Sequence, residues 1–136
     1  MNKQNAVYAS KDVNEIMVVD DQPGIRMLLQ EVFKQTDYQI VTAANGEQAL
    51  ELLKKEDVRL VLLDMKIPKM NGLEILHKIK EIKPGIKVII MTAYGENAMV
   101  QEALQSGAVA HFTKPFDLHE LISAVEKECP KNSSGV

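Results

Sequence analysis

Five short apolar runs punctuate the chain, each followed by a segment with helical spacing. The runs are Ile16-Met17-Val18-Val19, Gln39-Ile40-Val41-Thr42-Ala43, Leu60-Val61-Leu62-Leu63, Val88-Ile89-Ile90-Met91 and the brief Ala110-His111-Phe112-Thr113. The first, third and fourth are continuously apolar rather than alternating, as in strands covered on both faces of a parallel sheet. Between them, Leu29, Val32 and Phe33 share one helical face, as do Ala49, Leu50 and Leu53. Ile75, Leu76, Ile79 and Ile82 mark a third helix, Val100, Ala103 and Leu104 a fourth, and Leu118, Leu121, Ile122 and Val125 a fifth.

Boundary residues agree with these elements. Asn45 with Gln48, and Asp117 with Glu120, have capping-box spacing. Gly107 stands where a left-handed helix cap belongs, and Pro84-Gly85 breaks the chain before the fourth strand. Repeated strand–helix units of this length predict an α/β fold with a parallel sheet, because right-handed crossovers place helices on its faces. One domain over residues 14–129 is expected, with an N-terminal extension at 1–13 and a frayed tail at 130–136.

In such sheets ligands bind beyond the carboxyl ends of the strands, where strand order reverses. The first strand closes on Asp20-Asp21, the third on Asp64, the fourth on Thr92 and the fifth on Thr113-Lys114. If the first and third strands are neighbours, three carboxylates converge. They can do so only if a positive group joins them or their pKa values rise. A hard divalent cation with oxygen ligands fits: Mg²⁺, or alternatively Mn²⁺, on Asp20, Asp21 and Asp64. Lys114 offers a mobile ammonium and Thr92 a hydroxyl donor for phosphoryl oxygens. A carboxylate nucleophile, a metal and a cation are the parts that phosphoryl transfer requires. Each element is weak evidence alone; their joint placement at strand ends is not.

Composition narrows the partners. The 136 residues carry a net charge of −3, which argues against a dedicated nucleic-acid surface. No apolar run approaches the ~20 residues of a membrane span, and no signal-peptide core follows the N-terminus, so a cytoplasmic location is expected. The single cysteine, Cys129, reads as an inert buried or fringe thiol. His77 and His119 read as solvated.

With Val18-Val19-Asp20-Asp21, Leu62-Leu63-Asp64-Met65-Lys66-Ile67-Pro68-Lys69-Met70-Asn71-Gly72, Met91-Thr92-Ala93 and Lys114-Pro115-Phe116, the sequence resembles the receiver domain of two-component response regulators. Within that family it is most similar to the stand-alone sporulation phosphorelay regulators of spore-forming bacilli. The closer likeness rests on Asp20-Asp21-Gln22, Gly24-Ile25-Arg26, Leu62-Leu63-Asp64-Met65-Lys66-Ile67-Pro68 and Ile89-Ile90-Met91-Thr92-Ala93-Tyr94-Gly95-Glu96. The resemblance implies a flavodoxin-like, doubly wound sheet of five strands in the order 2-1-3-4-5, with five helices. It implies that Asp64 accepts phosphate from a sensor histidine kinase and that Thr92 and Lys114 bind the phosphoryl group. The main-chain carbonyl of Lys66 joins Asp20, Asp21 and Asp64 around Mg²⁺, and the Lys114–Pro115 peptide is cis.

His111 stands where many receivers carry an aromatic switch residue, and packing is favoured for it over swinging. The first helix carries more apolar surface than one buried face needs. Ile25 and Leu28 lie at the edge of its stripe, and Met27 lies roughly opposite. With the resemblance, this points to partner docking, with Gln22, Gly24, Ile25, Leu28, Lys66, Tyr94, Pro115 and Phe116 as the rim. The chain ends about one turn after the fifth helix, so another protein is expected to read the phosphoryl state. The expected partners are a histidine kinase, a histidine phosphotransferase and, further, an aspartyl-phosphate phosphatase, acting on a monomer. Self-phosphorylation and transfer on Asp64, rather than multiple turnover, are expected. The alternative is a chemotaxis-type receiver that regulates a target by phosphorylation-dependent binding. An aspartate-nucleophile phosphatase is disfavoured because Lys66 occupies its acid position. A flavin binder is disfavoured because Asp20-Asp21-Gln22-Pro23-Gly24 would repel the phosphate.

Overall fold

The computed structural model describes residues 15–130; the expected extension at 1–13 and all of the expected tail but Pro130 lie outside them. Five strands, β1 (Ile16–Val19), β2 (Ile40–Ala43), β3 (Leu60–Asp64), β4 (Lys87–Thr92) and β5 (Ala110–Thr113), alternate with five helices. The helices are α1 (Pro23–Lys34), α2 (Gly46–Lys55), α3 (Gly72–Ile82), α4 (Asn97–Gln105) and α5 (Leu118–Glu128). All strand pairs are parallel and the order is β2-β1-β3-β4-β5. β1 and β3 pair from Ile16↔Leu60 to Val19↔Leu63, which brings the residues after Val19 beside Asp64.

Two cores flank the sheet, and alternate side chains of each central strand feed opposite ones. Ile16, Val18, Leu60, Leu62, Ile89 and Met91 pack with Leu29 and Phe33 of α1 and Leu121 and Val125 of α5. Met17, Val19, Val61, Leu63, Val88 and Ile90 pack with Ala49, Leu53, Ile75, Ile79 and Ala103 of α2, α3 and α4. This two-sided burial explains the unbroken apolar runs. β2 and β5 are edge strands, and their residues are only partly covered.

Helix ends follow local chemistry. Asn45 Oδ1 accepts from the Gln48 N–H at 2.8 Å, but the Gln48 side chain returns to the Ala44 N–H rather than to that of Asn45. Asp117 accepts from both His119 and Glu120 N–H groups. Asn71, which the periodicity did not single out, caps α3 by accepting from Glu74 N–H at 2.9 Å. Gly107, at φ 111°, ends α4 in a Schellman arrangement, with its N–H on Leu104 and that of Ala108 on Ala103.

Some expected core positions lie nearer the surface. Val32, Leu50, Leu104, Leu118 and Ile122 are half-buried, and Ile82, the last residue of α3, is exposed. β2 begins one residue later than the apolar run, at Ile40.

Candidate phosphoryl and metal site

The order reverses at β1 and β3, whose following helices leave on opposite faces of the sheet. The crevice at that point is where the acidic residues meet. Asp20 is fully buried, Asp64 nearly so, and Asp21 is exposed, yet an oxygen from each lies within 4.8 Å of the others.

Asp20 is held through every polar atom it has. Its N–H donates to the Ala43 carbonyl at 3.1 Å, and its carbonyl accepts from Arg26 Nη1 at 2.6 Å. Oδ1 accepts from Gln22 N–H at 2.9 Å and Oδ2 from Lys114 Nζ at 2.7 Å. Asp64 Oδ1 accepts from Lys66 N–H at 3.1 Å, and Oδ2 lies 3.4 Å from the same Lys114 ammonium. Gln22 Oε1 completes the ammonium's partners at 3.1 Å. The Lys114–Pro115 peptide that follows β5 is cis, as the motif implied.

The Asp64 carboxyl titrates above its ordinary value. Burial is the main cause and the neighbouring Asp20 charge adds to it, while the Lys66 N–H and the Lys114 ammonium pull the other way. An anion held under such opposition fits a site that takes up a cation. Thr92 points to the same conclusion about phosphoryl oxygens: its hydroxyl is buried with no hydrogen-bond partner among the described residues. It lines a cleft of about 300 Å³ with Asp21, Gln22, Asp64, Lys66 and Lys114.

A second cleft of about 240 Å³ shares Thr92 and runs under Tyr94, Glu96, Val100 and His111. His111 is exposed rather than packed. β5 is an edge strand whose Ala110 and Phe112 turn toward the α5-side core, so the residue between them faces outward. His119 is exposed, as is His77, whose Nε2 lies 3.1 Å from Ser106 Oγ. Cys129 is buried at the end of α5, and its carbonyl accepts from Tyr38 Oη at 2.6 Å.

The expected docking residues fall on loops and the helix start at this same edge of the sheet. Met27, Leu28 and Tyr94 are exposed, Tyr94 by 92%. Gln22, Gly24, Lys66 and Pro115 are also exposed, whereas Ile25 and Phe116 are half-buried against the α5-side core. Sequence reasoning missed Arg26 as a site residue, and it missed the ion pair of Lys66 and Glu96, 3.5 Å apart beside the cleft. It also missed that Gly72 packs against the Met65 backbone; a Cβ there would lie 2.6 Å from Met65 Cα.

A doubly wound 2-1-3-4-5 sheet with buried aspartates, a hydroxyl and a lysine at its carboxyl edge defines the class of response-regulator receivers. The chain matches the response regulator receiver domain family over residues 16–126 and belongs to it. It is 56% identical over 120 residues to sporulation initiation phosphotransferase F of Bacillus subtilis, covering 88% of this chain and 97% of that protein. The chemotaxis protein CheY of Thermotoga maritima is 34% identical over 113 residues, covering 82% and 94%. Among solved structures, a CheY-like receiver domain protein from Methanospirillum hungatei superposes with a TM-score of 0.82 at 27% identity, covering 91% of this chain and 99% of that one. The receiver domain of NtrX from Brucella abortus gives 0.80 at 29% identity, covering 84% and 97%. No helix among the described residues is long and apolar enough to cross a membrane.

Proposed function

We propose that this receiver is a phosphorelay intermediate of the sporulation type: Asp64 takes a phosphoryl group from a sensor histidine kinase and gives it to a histidine phosphotransferase. The observation that carries the reading is a nearly buried carboxylate held between a second buried aspartate and a lysine, in a chain 56% identical to a sporulation phosphotransferase. In the first step an Asp64 carboxylate oxygen attacks phosphorus. The N–P bond of the kinase phosphohistidine breaks, and its electron pair returns to the imidazole. In the second step an imidazole nitrogen of the recipient attacks the same phosphorus, the new P–O bond breaks, and Asp64 leaves as a carboxylate. Lys114 Nζ and the Thr92 hydroxyl are the donors for the phosphoryl oxygens.

Asp20, Asp21 and Asp64 are the side chains that would hold Mg²⁺, or Mn²⁺ in its place, with the Lys66 carbonyl as a fourth ligand. The all-oxygen donor set and the clustered carboxylates suit a hard cation. When bound, such a cation neutralises charge on the phosphoryl oxygens and draws the carboxylates together. The chain's own residues do the rest: Arg26, Gln22 and Lys66 fix the carboxylates through backbone contacts.

The docking rim is Gln22, Gly24, Ile25, Leu28, Lys66, Tyr94, Pro115 and Phe116, and the partners are proteins of the cytoplasm rather than nucleic acid. An aspartyl-phosphate phosphatase is a further partner. The receiver acts as a monomer over residues 14–129, with 1–13 and 130–136 as an extension and a tail, and it undergoes phosphorylation without multiple turnover.

Labelling by a small acyl phosphate tests the acceptor. Label is expected in the wild type only with Mg²⁺ and not in Asp64→Ala; label persisting in that variant overturns the assignment. The likeness to chemotaxis protein CheY supplies the alternative, a receiver that regulates a bound target. Return of the label to a histidine protein supports the relay, and loss only to water supports the alternative.

A further inference from the structure

Arg26 sits one turn into α1, half-buried, between the proposed rim residues Ile25 and Leu28. Its guanidinium reaches back across six positions to the Asp20 carbonyl at 2.6 Å. That carbonyl lies one residue past Val19, where the pairing of β1 with both β2 and β3 ends. The Asp20 N–H still donates to Ala43 of β2, but its carbonyl is taken by the charged Arg26 donor in place of a strand N–H. The group it holds is the peptide joining Asp20 to Asp21. The plane of that peptide sets the directions in which both carboxylates project, and the adjoining Gln22 N–H closes on Asp20 Oδ1 at 2.9 Å.

We propose that Arg26 is a positioning residue that holds the Asp20–Asp21 peptide in the orientation needed for cation binding, and so ties the docking helix α1 to the acidic mouth. This rests on the reading of Asp20, Asp21 and Asp64 as cation ligands. The geometry makes a prediction whose sign is informative. A guanidinium near a cation site repels the cation, so removing a mere charge would tighten binding. Removing a clasp on the ligands weakens it; supports one contact removed from a metal typically contribute about tenfold or more in affinity.

The test uses the full chain and two readouts. Mn²⁺ binding is followed by the paramagnetic resonance signal of the free ion, with Mg²⁺ as competitor. Amide hydrogen exchange at Asp20 and Gln22 is measured without metal. Arg26→Met is expected to bind Mn²⁺ about tenfold more weakly than wild type. It should exchange the Gln22 amide faster while leaving the β3 amides protected. Arg26→Lys, which keeps a charged donor, should recover part of both. Equal or tighter Mn²⁺ binding by Arg26→Met, with Gln22 exchange unchanged, overturns the proposal and leaves the cation site standing. Failure of the wild type to bind Mn²⁺ overturns the cation reading and this proposal with it. Should Arg26→Met melt early, Arg26→Lys decides alone: it must bind less tightly than wild type while melting with it.

Discussion

Replacing Gly72 by alanine should destabilise the domain and disturb the acceptor loop together. Gly72 opens α3, and a Cβ there would meet Met65 Cα at 2.6 Å, Met65 Sδ at 2.7 Å and the Met65 carbonyl at 2.8 Å. Carbon atoms in contact settle at about 3.5–4.0 Å, so roughly 1 Å of movement is required. Two of the three atoms are backbone, and no rotamer change relieves them. Overpacking of this kind costs about 1–3 kcal/mol, partly offset by up to about 1 kcal/mol of helix propensity gained over glycine. A net loss of about 1 kcal/mol corresponds to about 4 °C in melting temperature for a domain of this size. Met65 follows Asp64 directly, and the next residue's N–H holds Asp64 Oδ1, so the strain falls on the acceptor itself. Gly24→Ala is the matched control, because nothing lies within 4 Å of its Cβ position in α1. It should be neutral or stabilising by up to about 1 kcal/mol. Urea and thermal denaturation of both variants make the comparison, with acyl-phosphate labelling as the local readout. A Gly72→Ala protein as stable as Gly24→Ala would falsify the packing argument.

Three further outcomes test the site and its frame. Because burial and Asp20 raise the Asp64 pKa above 3.8, the folded state holds its proton more tightly than the unfolded one, and stability falls as pH rises from that value through the folded pKa. Asp64→Asn should therefore be more stable than wild type at neutral pH without metal, with the gap closing toward pH 3.8 in denaturation curves; a gap independent of pH contradicts this. Lys114→Met removes the ammonium 2.7 Å from Asp20 and 3.4 Å from Asp64, and labelling by acyl phosphate should slow by about a hundredfold; an unchanged rate would show the ammonium is not used. Tyr38, whose phenol is pushed up to about 12 mainly by burial, donates to the Cys129 carbonyl. Tyr38→Phe should cost about 1–2 kcal/mol in urea denaturation and leave labelling untouched, since it lies at the opposite edge of the sheet.

Much of this was legible before any coordinates. Unbroken apolar runs located the three central strands, because strands buried on both faces cannot hide polar residues among their apolar ones, and the edge strands β2 and β5 were placed by their shorter, mixed runs between helical segments. The closing residues Asp20, Asp21, Asp64, Thr92 and Lys114 could be read as a set because a parallel sheet places its carboxyl ends together. What stayed hidden depends on reach rather than spacing. Arg26 acts six residues away through a long side chain, and only its place one turn beyond a strand end hints at it. Gly72 matters through a backbone neighbour seven positions back, which no pattern of polarity records. His111 was expected to pack; the edge position of β5 leaves it outward, and edge status follows from strand order, not from the strand's own residues.

The charges at the mouth constrain what it can receive and in what order. Three carboxylates gather within 4.8 Å, and among the described residues Lys114 is the only ammonium shared between two of them. The Arg26 guanidinium donates to the Asp20 carbonyl and makes no hydrogen bond to a carboxylate of the cluster. An incoming phosphoryl group brings about two more negative charges. Lys114 cannot serve both purposes at once: while it bridges Asp20 and Asp64, it is withheld from the phosphoryl oxygens, and if it moves to them, the two buried carboxylates lose their shared counter-charge. Screening by ordinary salt resolves little of the conflict, because Asp20 is fully buried and Asp64 nearly so, and buried charges are screened much less than exposed ones. A small, highly charged cation held by Asp20, Asp21 and Asp64 would resolve it, supplying their counter-charge while Lys114 serves the phosphoryl oxygens. On this argument the raised titration of Asp64 and the unpartnered Thr92 hydroxyl are two aspects of one condition, a site built for charges that arrive together.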